Sequence, residues 1–160
     1  MIKLSDYIVD FLEKIGVDTV FLVTGGGAMH LNDSFGRSTR IRKVFCHHEQ
    51  GCAIAAEGYA RTAGRMAVVN VTTGPGGLNT LNGVFGQWTD SVPVLYISGQ
   101  VRYDTTVDSQ RGRLDLRQLG DQEVDIISVV SPLTKYAATI KDPLDVRWVL
   151  EKAVHEAVSG

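Results

Sequence analysis

Glu49 is the residue whose type and setting invite chemistry. It lies in the run His47-His48-Glu49-Gln50-Gly51-Cys52-Ala53-Ile54-Ala55-Ala56-Glu57-Gly58-Tyr59-Ala60-Arg61, where one carboxylate stands at a strand-to-helix junction and small residues follow. Residues 41–46 read as a short strand. From Gln50 the Ala, Ile and Cys residues, with no proline, predict a helix continuing to about Thr62. Glu49 then sits on the helix's first turn. There the helix dipole favours a charged carboxylate, whereas small neighbours closing around it favour the protonated form. A carboxyl between those influences can exchange a proton with a nitrogen heterocycle, a general acid/base role. The plain alternative is a glutamate that merely supports the start of a helix.

Two glycine-rich turns accompany it. An apolar strand over residues 19–24 runs into Gly25-Gly26-Gly27 before a helical segment over 28–35. Glycines there permit positive φ and let a phosphate or a flat ring approach the backbone, although the spacing is not that of dinucleotide folds and a tight turn is an equal reading. A second buried strand, 66–73, leads into Gly74-Pro75-Gly76-Gly77 and then a helix over 78–88. Pro75 fixes its own φ, and the glycines bare the wall where helix amides face outward. Such a surface suits a planar heterocycle or an anion. Asn79 either steadies this turn or lines the site.

These features need elements to hold them. Leu4, Ile8, Phe11, Leu12 and Ile15 recur at helical spacing, with Ser5 as the expected cap and Gly16 as the stop. Residues 92–99 give another buried strand. Strand and helix alternating through short glycine-rich turns predicts an α/β three-layer sandwich: a mostly parallel central sheet with helices on both faces. Ligands of such sheets bind at the carboxyl ends of the strands. The Gly25, Glu49 and Gly74 junctions each follow a strand, so all three are expected on one rim. From 100 to 120 the chain turns polar and charged, a loop whose mixed signs favour solvation or a subunit contact over anion binding. Asp125 to Val130 forms a short segment closed by Pro132, residues 134–140 read as a strand, and a last amphipathic helix follows Pro143. Gly160 comes directly after that helix, so a domain cut before its last strand is expected.

The 160 residues are one domain's worth of chain, and a formal net charge of −2 leaves no electrostatic footprint for nucleic acid. The apolar stretches are strand-sized, and neither a membrane span nor a signal profile is seen, which makes the cytoplasm the expected compartment. Cys46 and Cys52 are too few for a disulfide framework and lack a second ligand pair for zinc; buried free thiols are expected.

Taken together, His48-Glu49-Gln50-Gly51 with Glu57-Gly58-Tyr59-Ala60-Arg61, Thr73-Gly74-Pro75-Gly76 with Asn79, Asp90-Ser91-Val92-Pro93, Gly99-Gln100-Val101 and Gln122-Glu123 resemble the N-terminal, pyrimidine-binding domain of thiamine diphosphate enzymes of the acetolactate synthase type. The likeness runs in order over essentially the whole chain. It implies that Glu49 hydrogen-bonds N1′ of the cofactor's aminopyrimidine and so promotes loss of the thiazolium C2 proton, the step that opens decarboxylation of a 2-keto acid such as pyruvate and addition to a second carbonyl. It implies that Thr73, Gly74, Pro75 and Gly76 form the turn near the pyrimidine with Asn79 beyond it. Gly25 and Gly26 correspond to the early loop facing the cofactor, and Gln122 reaches toward the substrate side.

The resemblance further implies thiamine diphosphate with Mg²⁺, the metal being held by a separate diphosphate-binding domain in the rest of the protein or in another chain. It implies a site shared between subunits of a homodimer or homotetramer. No metal ligand is assigned to this chain. Leu22 and Thr24 stand where the family commonly has Gly and Pro, and residues 103–120 depart from the usual synthase pattern. A related 2-keto acid lyase serving sugar or polysaccharide biosynthesis therefore stays open. So do a small subunit of a two-chain decarboxylase and a non-catalytic regulatory or assembly domain.

Overall fold

A computed structural model describes residues 2–160. Four parallel strands, β1 (Thr19–Leu22), β2 (Arg42–Phe45), β3 (Ala67–Val71) and β4 (Val94–Ser98), lie in the order β2-β1-β3-β4. Leu22 is in register with both Phe45 and Asn70, and Val71 with Ser98, so the four strands end together on one rim. Helices cover both faces, as the alternating pattern predicts. Along β1 and β3 successive side chains go to opposite sides. Val20, Leu22 and Val68 join Leu12 and Phe35 beneath α1 (Leu4–Lys14), α2 (Met29–Arg37) and α8 (Val146–Val158). Phe21, Val69 and Val71 join Cys52, Ala56 and Ala60 of α3 (Glu49–Ala63) on the other. Leu12 and Phe35 are fully enclosed, and each such burial contributes about 1.5–3 kcal/mol.

The small residues of α3 serve close packing. Against α5 (Leu81–Asp90) the helices come so near that a Cβ on Gly83 would stand 2.3 Å from the Ala53 Cβ. Gln87, buried in α5, donates to the Ala53 carbonyl at 2.8 Å and accepts from the Tyr96 hydroxyl at 2.7 Å. Burial pushes the Tyr96 phenol up, with the Gln87 hydrogen bond opposing it. This pairing sets α3 and α5 side by side.

Several expectations change. Ser5 is not a cap: α1 starts after Lys3 without a side-chain cap, and Ser5 is its buried second residue, accepting from the Ser34 hydroxyl at 2.9 Å. The helix expected over 78–88 is two pieces, the single turn α4 (Pro75–Leu78) and α5, parted at Asn79–Thr80, where the Gly77 carbonyl accepts from the Thr80 N–H at 3.1 Å and from its hydroxyl at 2.7 Å. Residues 134–140 form no strand. Their backbone groups join no ladder, and Tyr136 instead packs edge-on to Trp148 of α8 with Lys152 over its ring. The charged loop after β4 is partly folded: a 3-10 turn (Tyr103–Thr105) and α6 (Val107–Gln110) occupy it, and Asp108 pairs with Lys141 and Arg111. Further on, Asp125 caps α7 (Ile126–Val130), accepting from the Ser128 N–H at 3.2 Å.

Ser91 closes α5 in the left-handed region, φ 55° and ψ 41°. That conformation costs a non-glycine residue about 1–2 kcal/mol, and glycine loses about 0.5–1 kcal/mol through its freer unfolded chain. Ser91→Gly is therefore expected to stabilise the domain by roughly 0.5 kcal/mol, measured as a higher urea midpoint at unchanged slope.

Candidate active site

Glu49 is the first residue of α3. His48 precedes it in extended conformation and caps the helix, its Nδ1 accepting from the Gln50 N–H at 3.1 Å. With the helix start fixed and the side chain half-buried, the carboxylate faces the turn that follows β3. Glu49 Oε2 accepts from Asn79 Nδ2 at 3.0 Å. A Cβ on Gly76 would stand 3.4 Å from Oε1. One carboxylate oxygen is thus held by an amide, and the other overlooks a stretch of bare backbone. Asn79 lies at the break between α4 and α5.

The two glycine turns meet around Thr72, which sequence reasoning did not single out. Its hydroxyl accepts from the Gly27 N–H at 3.0 Å. A Cβ on Gly25 would lie 2.5 Å from Thr72 Cβ, and one on Gly76 2.7 Å from Thr72 Cγ2. Glycine at 25 therefore serves close approach, not left-handed geometry: Gly25 is extended at φ −175°, and none of Gly25, Gly26 and Gly27 has positive φ. Gly26 has no protein atom near where its Cβ would be, so its bare face looks into open space. Gly74 alone of these turn glycines needs the left-handed side, at φ 55°.

Behind the first loop, Asn70 lies one residue from the carboxyl end of β3, wholly buried. Its Nδ2 donates to Asn32 Oδ1 at 2.9 Å, and Asn32 Nδ2 donates to the Gly25 carbonyl at 3.3 Å. Among the described residues Asn70 Oδ1 has no partner. An amide in a strand core costs about 1–3 kcal/mol unless it is bonded, so this chain from strand to loop fixes the loop at some expense to stability.

Gln122 reaches the same rim through its backbone. It sits at φ 58°, and its carbonyl packs on Gly74 so tightly that a Cβ there would be 2.0 Å away. Its side chain is exposed. A non-glycine residue in that region carries about 1–2 kcal/mol of strain. Thr73 donates its hydroxyl to Gln100 Oε1 at 2.7 Å. The site residues read from the sequence, Gly25, Gly26, Glu49, Thr73, Gly74, Pro75, Gly76, Asn79 and Gln122, thus gather along one rim of the sheet. Thr72, Asn32 and Gln100 are additions. Gln100 stood in a recognisable motif, whereas nothing local marked the other two.

Cys52, one turn beyond Glu49, is enclosed; burial pushes its thiol well up, with the Cys46 thiol and the Glu49 charge adding to the effect. It stays a protonated packing group. Cys46 is only half-buried. A cavity of about 260 Å³ lies at the opposite rim, between the end of α1 and Arg65, where Asp18 is already tied to Tyr59, Thr19 and Arg65. The Tyr59 hydroxyl, first among these, holds the Asp18 carboxyl below its ordinary value.

Residues 2–129 match the family described as thiamine pyrophosphate enzyme, N-terminal TPP binding domain. The chain belongs to this family. Among its relatives, the chloroplastic acetolactate synthase of Arabidopsis thaliana is 37% identical over 161 residues, covering 99% of this chain and 22% of the plant protein. The acetolactate synthase large subunit of Lactococcus lactis is 33% identical over 156 residues, covering 98% of this chain and 25% of the bacterial one. The chain spans about a quarter of the length of these curated relatives. For a thiamine pyrophosphate-binding domain the bare rim has a ready meaning. Gly26 leaves open space on the rim, Gly25 and Gly76 are packed against Thr72, and the Glu49 carboxylate beside them is held by Asn79.

Proposed function

We propose that this chain is the pyrimidine-binding domain of a thiamine diphosphate-dependent 2-keto acid decarboxylase or carboligase of the acetolactate synthase type, with Glu49 activating the cofactor. The observation that carries this reading is Glu49 itself: Asn79 holds one carboxylate oxygen at 3.0 Å, and the other overlooks the side-chain-free Gly76. When bound, the cofactor supplies an acidic thiazolium carbon that adds to a carbonyl and accepts the electron pair released by decarboxylation. Glu49 holds a proton at the pyrimidine nitrogen and takes it back. Asn79 keeps the carboxylate turned toward that nitrogen. Thr73, Gly74 and Pro75 shape the turn on which the ring rests, and Gly25 and Gly26 bound it on the other side.

Mg²⁺ and the diphosphate are assigned to a separate domain, in the rest of the protein or in another chain. The 2-keto acid, pyruvate in the simplest case, then arrives on the side of Gln122. Leu22, Thr24 and the departing segment over 103–120 keep a related 2-keto acid lyase open beside acetolactate synthase in the strict sense. Self-association into a homodimer or homotetramer is part of the proposal. Ala53, Ala56 and Ala60 face inward, so the apolar side chains left for such a contact are Ile54, Phe85 and Trp88 on the outer sides of α3 and α5. The proposed compartment is the cytoplasm; among the described residues no helix is long and apolar enough to cross a membrane.

The chain alone supplies one wall of the site. Titration with thiamine diphosphate and Mg²⁺ by calorimetry is expected to show weak binding or none. A micromolar dissociation constant without a partner overturns the shared site. Addition of a diphosphate-binding domain is expected to bring exchange of the cofactor's C2 proton with solvent, and failure of every assembled form to promote that exchange overturns the proposed chemistry.

A further inference from the structure

Gln100 follows β4, and its side-chain amide is engaged entirely within the protein. Its Oε1 accepts from the Thr73 hydroxyl at 2.7 Å and from the Val101 N–H at 2.9 Å. Its Nε2 donates to the Val124 carbonyl at 3.0 Å. One planar group thereby joins the turn after β3, the end of β4 and the stretch that carries Gln122.

Gln122 needs such support. Its left-handed backbone is a conformation that persists only where the surroundings impose it. Glu123 supplies part of this, its carboxylate accepting from the Val107 N–H at 2.7 Å and the Gly120 N–H at 3.1 Å. Gln118 Nε2 adds bonds to the Gly120 and Glu123 carbonyls at 3.0 and 2.9 Å. Those contacts brace the loop against itself. Of these three side chains, Gln100 is the one that also reaches the Thr73 turn, where Gly74 and the Gln122 carbonyl are packed backbone to backbone.

We propose that Gln100 is a positioning residue that couples the cofactor turn at Thr73 to the substrate-side segment at Gln122, so that a 2-keto acid meets Gln122 at a fixed height over the bound ring. This rests on the proposed function. The two ends of the amide differ in chemistry, which allows them to be separated. In Gln100→Glu the carboxylate keeps an acceptor for Thr73 and Val101, but it has no donor for Val124 and repels that carbonyl. The turn should stay in place while the loop is released.

The test uses the enzyme assembled with its diphosphate-binding domain, thiamine diphosphate, Mg²⁺ and pyruvate. For Gln100→Glu, backbone amide exchange over 118–125 is expected to quicken about tenfold while that of β1 and β3 stays at the parent rate. Turnover of pyruvate, as kcat/KM, is expected to fall roughly 10- to 100-fold, the scale of a reacting group displaced by about 1 Å. Exchange of the C2 proton, which needs only Glu49 and the turn, should stay near parent. Gln100→Leu, which releases both ends, should lower C2 exchange as well. Unchanged amide exchange over 118–125 overturns the coupling, and so does exchange raised alike through β1 and β3, or C2 exchange lost along with turnover in Gln100→Glu. A parent enzyme that neither exchanges the C2 proton nor consumes pyruvate overturns the proposed function instead, and the amide-exchange pattern still decides whether Gln100 ties the two segments.

Discussion

Replacing Glu49 by glutamine is expected to slow exchange of the cofactor's C2 proton by about 10²-fold or more while leaving the fold intact. The two effects separate because glutamine matches the shape of glutamate and keeps a side-chain oxygen for the Asn79 amide, which now donates at 3.0 Å. The first-turn charge that it removes is worth about 0.3–1 kcal/mol to the helix. A hundredfold rate loss corresponds to about 2.7 kcal/mol of barrier. What disappears is the ability to take and return a proton, since an amide oxygen is a poor base. C2 exchange would be followed by NMR in the assembled enzyme, with urea unfolding of the chain as the control. Exchange near the parent rate in a stably folded variant removes Glu49 from its role. A loss of both together makes the residue structural.

Much of this site was legible because its key features are local. A strand followed at once by a carboxylate and a run of small residues has few other readings, and Glu49 lies where that pattern puts it. The glycines after β1 and β3 were also visible, though their reason was not. Freedom of φ was expected at Gly25, yet the residue is extended, and its missing Cβ makes room for Thr72, just past the end of β3. A single chain of letters cannot show that neighbour. The same holds for Asn32, whose partners lie at Gly25 and Asn70, and for Gln100, bonded across to Thr73 and Val124.

Where local bonds compete with periodicity, the reading failed in a different way. A continuous helix was expected over 78–88, but it is parted at Asn79–Thr80, where the Gly77 carbonyl takes both the N–H and the hydroxyl of Thr80. Asn79, at that interruption, bonds Glu49. Residues 134–140 have the composition of a strand, and a strand requires a free edge to pair with. Here Tyr136 packs on Trp148 and Lys152, and Ile140 packs toward the cluster under α8, and the segment joins no ladder.

The same dependence on distant neighbours makes Gly74 the most demanding position in the turn. Gly74→Ala is expected to destabilise the domain by about 3 kcal/mol or more. Its φ of 55° with ψ −117° lies outside the left-handed helical well, which alone costs about 1–3 kcal/mol. The added methyl would also meet the Gln122 carbonyl at 2.0 Å, a backbone atom that cannot rotate aside. Relief requires the 120–124 segment to move. That would strain the Gln100 bond to Val124 and the Glu123 bond to Gly120, at about 1 kcal/mol each. Gly64→Ala is the internal comparison. Gly64 closes α3 at φ 64° and ψ 30° with nothing within 4 Å of its Cβ position, so its cost should stay near about 1 kcal/mol. Urea unfolding of both variants measures the difference directly. Equal losses would mean that the Gln122 carbonyl yields freely, and the close seat of that segment on the Thr73 turn would have to be given up. A loss at Gly74 larger by about 2 kcal/mol would show that backbone contact, not glycine's flexibility, is what the turn demands.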